Sequence, residues 1–142
     1  MSALTYVCKY TPVELLIAYG ADPQILNGMR EGFDVAEQHS GPNICGFGKT
    51  VLEATFDGEI DELAMVNCCD TLRSVYDVVE ASGKLSFCHN MDMPRCGGEC
   101  SIDWLVREMR ELGEAYGAAH GTTFDEAAFR AAFTGCEAPT GP

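Results

Sequence analysis

Cysteine is the residue type here whose number and placement most suggest chemistry: eight occur in 142 residues. Cys68 and Cys69 stand side by side in Val-Asn-Cys-Cys-Asp-Thr-Leu-Arg, residues 66–73. Before them runs an apolar segment, 63–66, of the length of a buried strand. After them Leu72, Val75, Tyr76 and Val79 recur with helical period. The two thiols therefore fall where a strand gives way to a helix. In an open parallel α/β sheet ligands bind along that edge, and a helix N-terminus favours a thiolate. The plainer role for a free cysteine is that of a small buried hydrophobe.

The elements that would position these thiols follow in chain order. Residues 4–7 predict a short strand ending at Cys8. Thr11 as N-cap, Pro12 at the first helical position and Glu14 closing a capping box predict a helix with Val13, Leu16 and Ile17 on its apolar face, stopping at Gly20. A second strand is expected over 23–26, and 27–42 reads as a polar loop with one helical turn. The glycine-rich stretch 41–49 contains Cys45 and Lys49. It is not a phosphate-binding P-loop, because position 43 is Asn where that motif needs Gly. Val51, Leu52 and Thr55 predict a helix ending near Gly58, and the helix from Asp70 is stopped by Gly83.

Residues 85–89 predict the next strand, so Cys8, Cys68, Cys69 and Cys88 are all expected at carboxyl ends of strands. Such ends share one edge of a parallel sheet, where distant positions converge. His89, next to Cys88, is read as a structural hydrogen-bonding residue, with an acid/base role as the alternative. Cys96 and Cys100 in the loop 93–100 have a C-x-x-x-C spacing, a weak metal signal. From Ile102 onward Leu105, Val106, Met109, Leu112 and Tyr116 predict a long amphipathic helix. Phe129 and Phe133 lie on a last short one.

Alternating strands and helices imply an α/β fold, a parallel sheet flanked by helices in Rossmann- or flavodoxin-like layers, with a helical C-terminal part. The divisions expected are an α/β domain over 1–95, a helical continuation packed on it over 96–137, and a tail over 138–142. The formal net charge of −13 argues against nucleic acid or an anionic membrane as partner. No apolar run reaches the length of a bilayer span, and no secretory leader is visible. A cytoplasmic, reducing setting is expected, in which clustered cysteines serve as metal or redox groups.

Four motifs in order carry a resemblance. Cys-x-Tyr-Thr-Pro-x-Glu-Leu (8–15), Asn-Ile-Cys-Gly-Phe-x-Lys (43–49), Cys-Asp-Thr-Leu-Arg (69–73) and Met-Asp-Met-Pro-Arg (91–95) are together similar to the 2-hydroxyacyl-CoA dehydratase family, which includes benzoyl-CoA reductase subunits and double-cubane cluster proteins. The resemblance implies a [4Fe-4S] cluster, with Cys45 and Cys69 as its first two cysteine ligands and a third supplied by a later domain. Members are longer than this chain, so it is expected to be an N-terminal domain, or a shortened relative completed by another chain. Cys8 and Cys68 are further candidate metal ligands, and with Cys96 and Cys100 they suggest the double-cubane [8Fe-9S] branch.

The function so implied is an iron–sulfur component of a lyase acting by radical dehydration of a CoA thioester. Its partners would be an ATP-dependent activator that donates electrons, a second subunit in a homo- or heterodimer, and an acyl-CoA substrate. The alternatives are a double-cubane reductase component, a non-catalytic cluster carrier and a structural zinc domain. Asp70 and Arg73 are read as hydrogen-bonding near the second ligand or, for Asp70, as a helix cap.

Overall fold

The computed structural model describes residues 3–135, and the expected tail over 138–142 lies outside them. Four parallel strands form one sheet: β1 (Ala3–Tyr6), β2 (Asp22–Ile25), β3 (Glu62–Asn67) and β4 (Phe87–Asp92), in the order β2-β1-β3-β4. The register sets Leu4 beside both Pro23 and Glu62, and Glu62 beside Phe87. Helices α1 (Val13–Ala18), α2 (Asp34–His39), α3 (Gly46–Phe56), α4 (Asp70–Ser82), α5 (Glu99–His120) and α6 (Glu126–Gly135) complete the described elements. The expected α/β layers are present.

β3 is central and every one of its residues is buried. Its side chains alternate between two cores, as the pleat requires. Leu63 and Met65 pack with Val51 and Leu52 of α3 and Val75 and Val79 of α4. Ala64 and Val66 pack on the other side with Leu16 of α1 and Leu112 and Tyr116 of α5. α3 and α4 thus cover one face, and α1 and α5 the other. No helix among the described residues is long and apolar enough to cross a membrane.

Several boundaries differ from the sequence reading. Thr11 does not cap α1; the N-cap is Pro12, without a side-chain bond. α3 starts at Gly46, because Cys45 caps it and the glycines continue into the helix. β4 starts at Phe87 and runs to Asp92, so Cys88 and His89 lie near its amino end and not at the carboxyl edge. In the first half of α5 Leu105 and Met109 are only partly buried against the core, and Val106 is 50% exposed where its spacing predicted burial.

Two buried carboxylates fasten outer elements to this frame. Glu53 of α3, 5% exposed, accepts from the backbone N–H groups of Val35 and Ala36 at 2.8 Å, satisfying the first turn of α2. Replacing Glu53 by Ala is expected to cost about 1–3 kcal/mol, as for a hydrogen bond to a charged group. In hydrogen exchange, the amides of Val35 and Ala36 should lose protection before the sheet does.

Glu62 Oε1 lies 2.7 Å from His120 Nε2, and His120 Nδ1 lies 3.0 Å from the Tyr116 carbonyl. The hydrogen bond with Glu62 raises the His120 pKa above its ordinary value. A doubly protonated ring donates to both oxygens. The resulting stability is full below the unfolded value of about 6.5 and is lost as pH rises through the raised one. His120→Gln should therefore lower unfolding free energy by about 1–2 kcal/mol at acidic pH, with the gap closing at alkaline pH in parallel urea titrations.

Candidate functional site

Chain direction in the sheet reverses between β1 and β3: from β1 the chain goes to β2 on one side, and β3 and β4 build outward on the other. The crevice beyond the carboxyl ends at such a reversal is the ligand position of open α/β sheets. Cys8 follows β1, and Cys68 and Cys69 follow β3, so three cysteines fall at this edge of the sheet. Cys8 is buried and donates to Cys68 Sγ at 3.5 Å. Desolvation first, then the hydrogen bond with Cys8 and the neighbouring thiols, push the Cys68 thiol up to about 12.

Cys69 turns out of the sheet. The Cys68 N–H closes on the Val66 carbonyl at 2.8 Å, and Cys69, with extended backbone, becomes the N-cap of α4. Its Sγ accepts from the Leu72 N–H at 3.5 Å. Cys45 repeats the arrangement at α3, where its Sγ accepts from the Gly48 N–H at 3.4 Å. Both thiols are exposed. Cysteine is an unusual cap, since oxygen side chains are preferred there. Two of them place sulfur against the positive ends of two helices that pack side by side.

The close packing has a specific cause. A Cβ on Gly48 would lie 2.7 Å from Thr71 Cγ2, 2.9 Å from Ile44 Cγ2 and 3.2 Å from Val75 Cγ2. Gly48 is three residues past Cys45, and Thr71 two past Cys69. A bare backbone at position 48 thus lets the first turns of α3 and α4, each capped by a cysteine, pack together. Spacing alone showed a glycine-rich stretch; the partner across the gap was not legible.

Other candidates are placed differently. Cys88 packs as a half-buried hydrophobe against the α3–α4 core, and burial, followed by the charge of Glu80, pushes its thiol up to about 12. His89 is held below its usual value by burial, with its ring 6.4 Å from that of Phe87. No side-chain hydrogen bond involves it among the described residues, so packing replaces the expected bonding role. Asp70 is not the helix cap, because Cys69 holds that position; its exposed carboxylate lies 3.7 Å from Arg95. Lys49 pairs with Glu37 at 3.1 Å, a structural contact consistent with the absence of a P-loop.

Cys96 and Cys100 are exposed on the approach to α5 and in its first turn. They border a cavity of about 450 Å³ at the carboxyl ends of β3 and β4, together with Asn67, Arg73, Arg95 and Trp104. Sequence reasoning singled out neither Asn67 nor Trp104. Among the described residues no group of three or more His, Cys, Asp or Glu side chains is gathered as a metal site.

Compared with known families, residues 8–137 of the chain match the family described as 2-hydroxyglutaryl-CoA dehydratase, D-component. No curated protein matches the chain.

Alanine at a helix-interior glycine is ordinarily stabilising, by about 1 kcal/mol. Gly48→Ala should instead destabilise the fold by about 1–3 kcal/mol through overpacking. Adding Thr71→Ser, which removes the nearest methyl, should recover part of the loss in denaturant unfolding.

Proposed function

The chain belongs to the 2-hydroxyglutaryl-CoA dehydratase D-component family, and from that premise we propose that it is the part of a 2-hydroxyacyl-CoA dehydratase-type enzyme that supplies Cys45 and Cys69 to a [4Fe-4S] cluster. The observation that carries this reading is the pair of exposed thiols capping two helices held together at Gly48. Thiolates are the ligands such clusters use, and hydrogen bonds to the sulfurs tune their potential. The Gly48 and Leu72 N–H groups already point at these two sulfurs. On this reading the two sulfurs account for two of the cluster's thiolate ligands, and a later domain supplies the next.

Bound there, the cluster would supply a low-potential electron and an iron able to polarise a substrate oxygen. The chain's own part is to hold the two thiolates. Each helix N-terminus stabilises negative charge on its capping sulfur. The Gly48 contact fixes the spacing between the first turns that carry them. Loss of hydroxide from a 2-hydroxyacyl thioester is the reaction this reading assigns to the assembled enzyme, with an ATP-dependent activator as electron donor and an acyl-CoA as substrate.

One contact favours the double-cubane alternative. Cys8 and Cys68 lie sulfur to sulfur, and Cys68 is next in sequence to Cys69. Together with Cys45, Cys69 and a ligand from a later domain, the thiols on offer exceed the four that one cubane takes.

The test is reconstitution with iron and sulfide without oxygen, read by absorption, electron spin resonance and metal content. About four irons per site are expected for the single cubane and about eight for the double one. Cys45→Ser and Cys69→Ser should each abolish the cluster spectrum. Cys8→Ser and Cys68→Ser should leave a four-iron centre intact but remove half the iron from an eight-iron one. Tightly held zinc in place of iron, in a colourless protein, would falsify the reading.

A further inference from the structure

Most of α6 lies outside the core, and polar bonds hold its start in place. The Asp125 N–H donates to the Ala18 carbonyl at 2.8 Å, and Thr122 Oγ1 donates to the Tyr19 carbonyl at 2.6 Å. Asp125 Oδ1 accepts from the N–H groups of Ala127 and Ala128 at 2.8 and 3.1 Å, satisfying the first turn of the helix. These bonds fix α6 beside α1 without covering its aromatic side. Phe124 is 44% exposed and Phe133 55%. Phe129 packs against both, with ring centroids 5.4 and 4.9 Å away, so the three rings form a ridge. On α5, exposed Val106 and Ile102, one turn apart, add to the uncovered apolar surface.

A hole lies beside the ridge. Its volume is about 420 Å³, and Leu15, Tyr19, Val106, Met109, Phe124 and Phe129 line it. The Tyr19 wall is rigid, because its ring is seated on two bare positions of α5. A Cβ on Gly113 would lie 2.5 Å from Tyr19 Cε2, and one on Gly117 would lie 2.9 Å from Tyr19 Cδ1. Phe133 does not line this hole; it borders a second hollow that shares only Phe124 and Phe129 with the first. The same face therefore presents an aromatic knob and, across the ridge, an apolar hole with room for a phenyl ring. A two-fold contact requires that each copy receive what it offers. A knob and a hole on one face meet that requirement.

The charges agree with it. The chain has 22 Asp and Glu against nine Lys and Arg. Yet the charged residues lining the hole and the hollow are Arg110, Glu114, Glu126 and Arg130, two of each sign. A neutral face gives neither a basic nor an acidic partner an electrostatic preference. It also lets two copies meet where their net charge of −13 each is felt least. We propose that two copies of this chain associate face to face through α5 and α6, with Phe133 of each entering the hole of the other. Arg110 then faces Glu126 of the second copy, and Glu114 faces its Arg130. Among the described residues no cysteine lines either cavity, so this contact is independent of the cluster reading.

The test is sedimentation velocity of the full chain over about 1–500 µM. A chelator and a reductant are present, so that neither metal nor disulfide can join chains. A reversible monomer–dimer equilibrium is expected, with a Kd of roughly 10–100 µM, tightening as salt screens the net charge. Phe133→Ser removes the knob and Val106→Trp fills the hole. Each should raise Kd about tenfold or more, and both positions are at least half exposed, outside the core. Mixed in equal amounts, the two variants should pair with each other more tightly than either pairs with itself, because one knob still finds one open hole. Loss of folding could not produce that gain. A monomer at every concentration, which would leave the face to a different partner, overturns the proposal. So does a dimer indifferent to both replacements, or a mixture no tighter than its components.

Discussion

Six consecutive residues, Glu62 to Asn67, are buried in β3, and covering both faces of that strand is the constraint that organises the rest of the chain. One face needs α3 and α4, the other α1 and α5. A strand enclosed in this way can meet solvent only at its ends, and each end is put to a separate use. At the amino end, Glu62 is sealed by His120. At the carboxyl end the chain emerges as Asn67, Cys68 and Cys69, so an amide and two thiols lie at the mouth of the sheet because the strand can go no further. The position of the candidate site is thus a consequence of burial and of the β2-β1-β3-β4 order, which makes β1 and β3 neighbours and sets Cys8 against Cys68.

Much of this was legible in the sequence, and the exceptions share a physical pattern. Leu63 to Val66 read as a buried strand because the run is apolar and short, and Gly83 read as a helix stop, which the structure bears out with a left-handed φ of 61° at that residue. Cys45 and Cys69 were legible as candidates by motif and by junction. What stayed hidden were facts that depend on two distant segments at once. The Thr71 methyl over Gly48 and the Glu53 carboxylate under α2 are tertiary contacts with no local periodicity. Cys88 was misplaced for the opposite reason. Its neighbours 85–89 have strand character, but pairing with β3 begins only at Phe87, and a shift of two residues moved the thiol from the open edge into the core.

The two capping cysteines show how one backbone feature can serve folding and chemistry together. An N-cap must offer an acceptor to amides that the helix cannot satisfy. A sulfur does this less well than an oxygen, with contacts of 3.4 and 3.5 Å. That weaker local fit recurs at two adjacent helices, and the proposed ligation rests on these same two sulfurs.

The Cys8–Cys68 contact bears on how the protein has to be handled. Two sulfurs 3.5 Å apart need only an oxidant such as dioxygen, taking up their two electrons and two protons, to become a covalent bridge across 60 residues of chain. By the loop-entropy relation such a cross-link would restrict the unfolded chain enough to add about 4 kcal/mol of apparent stability. A sample purified in air would then melt as a stapled protein, its tolerance of heat and urea reporting on workshop chemistry while two thiols of the crevice were withdrawn from any metal offered to them.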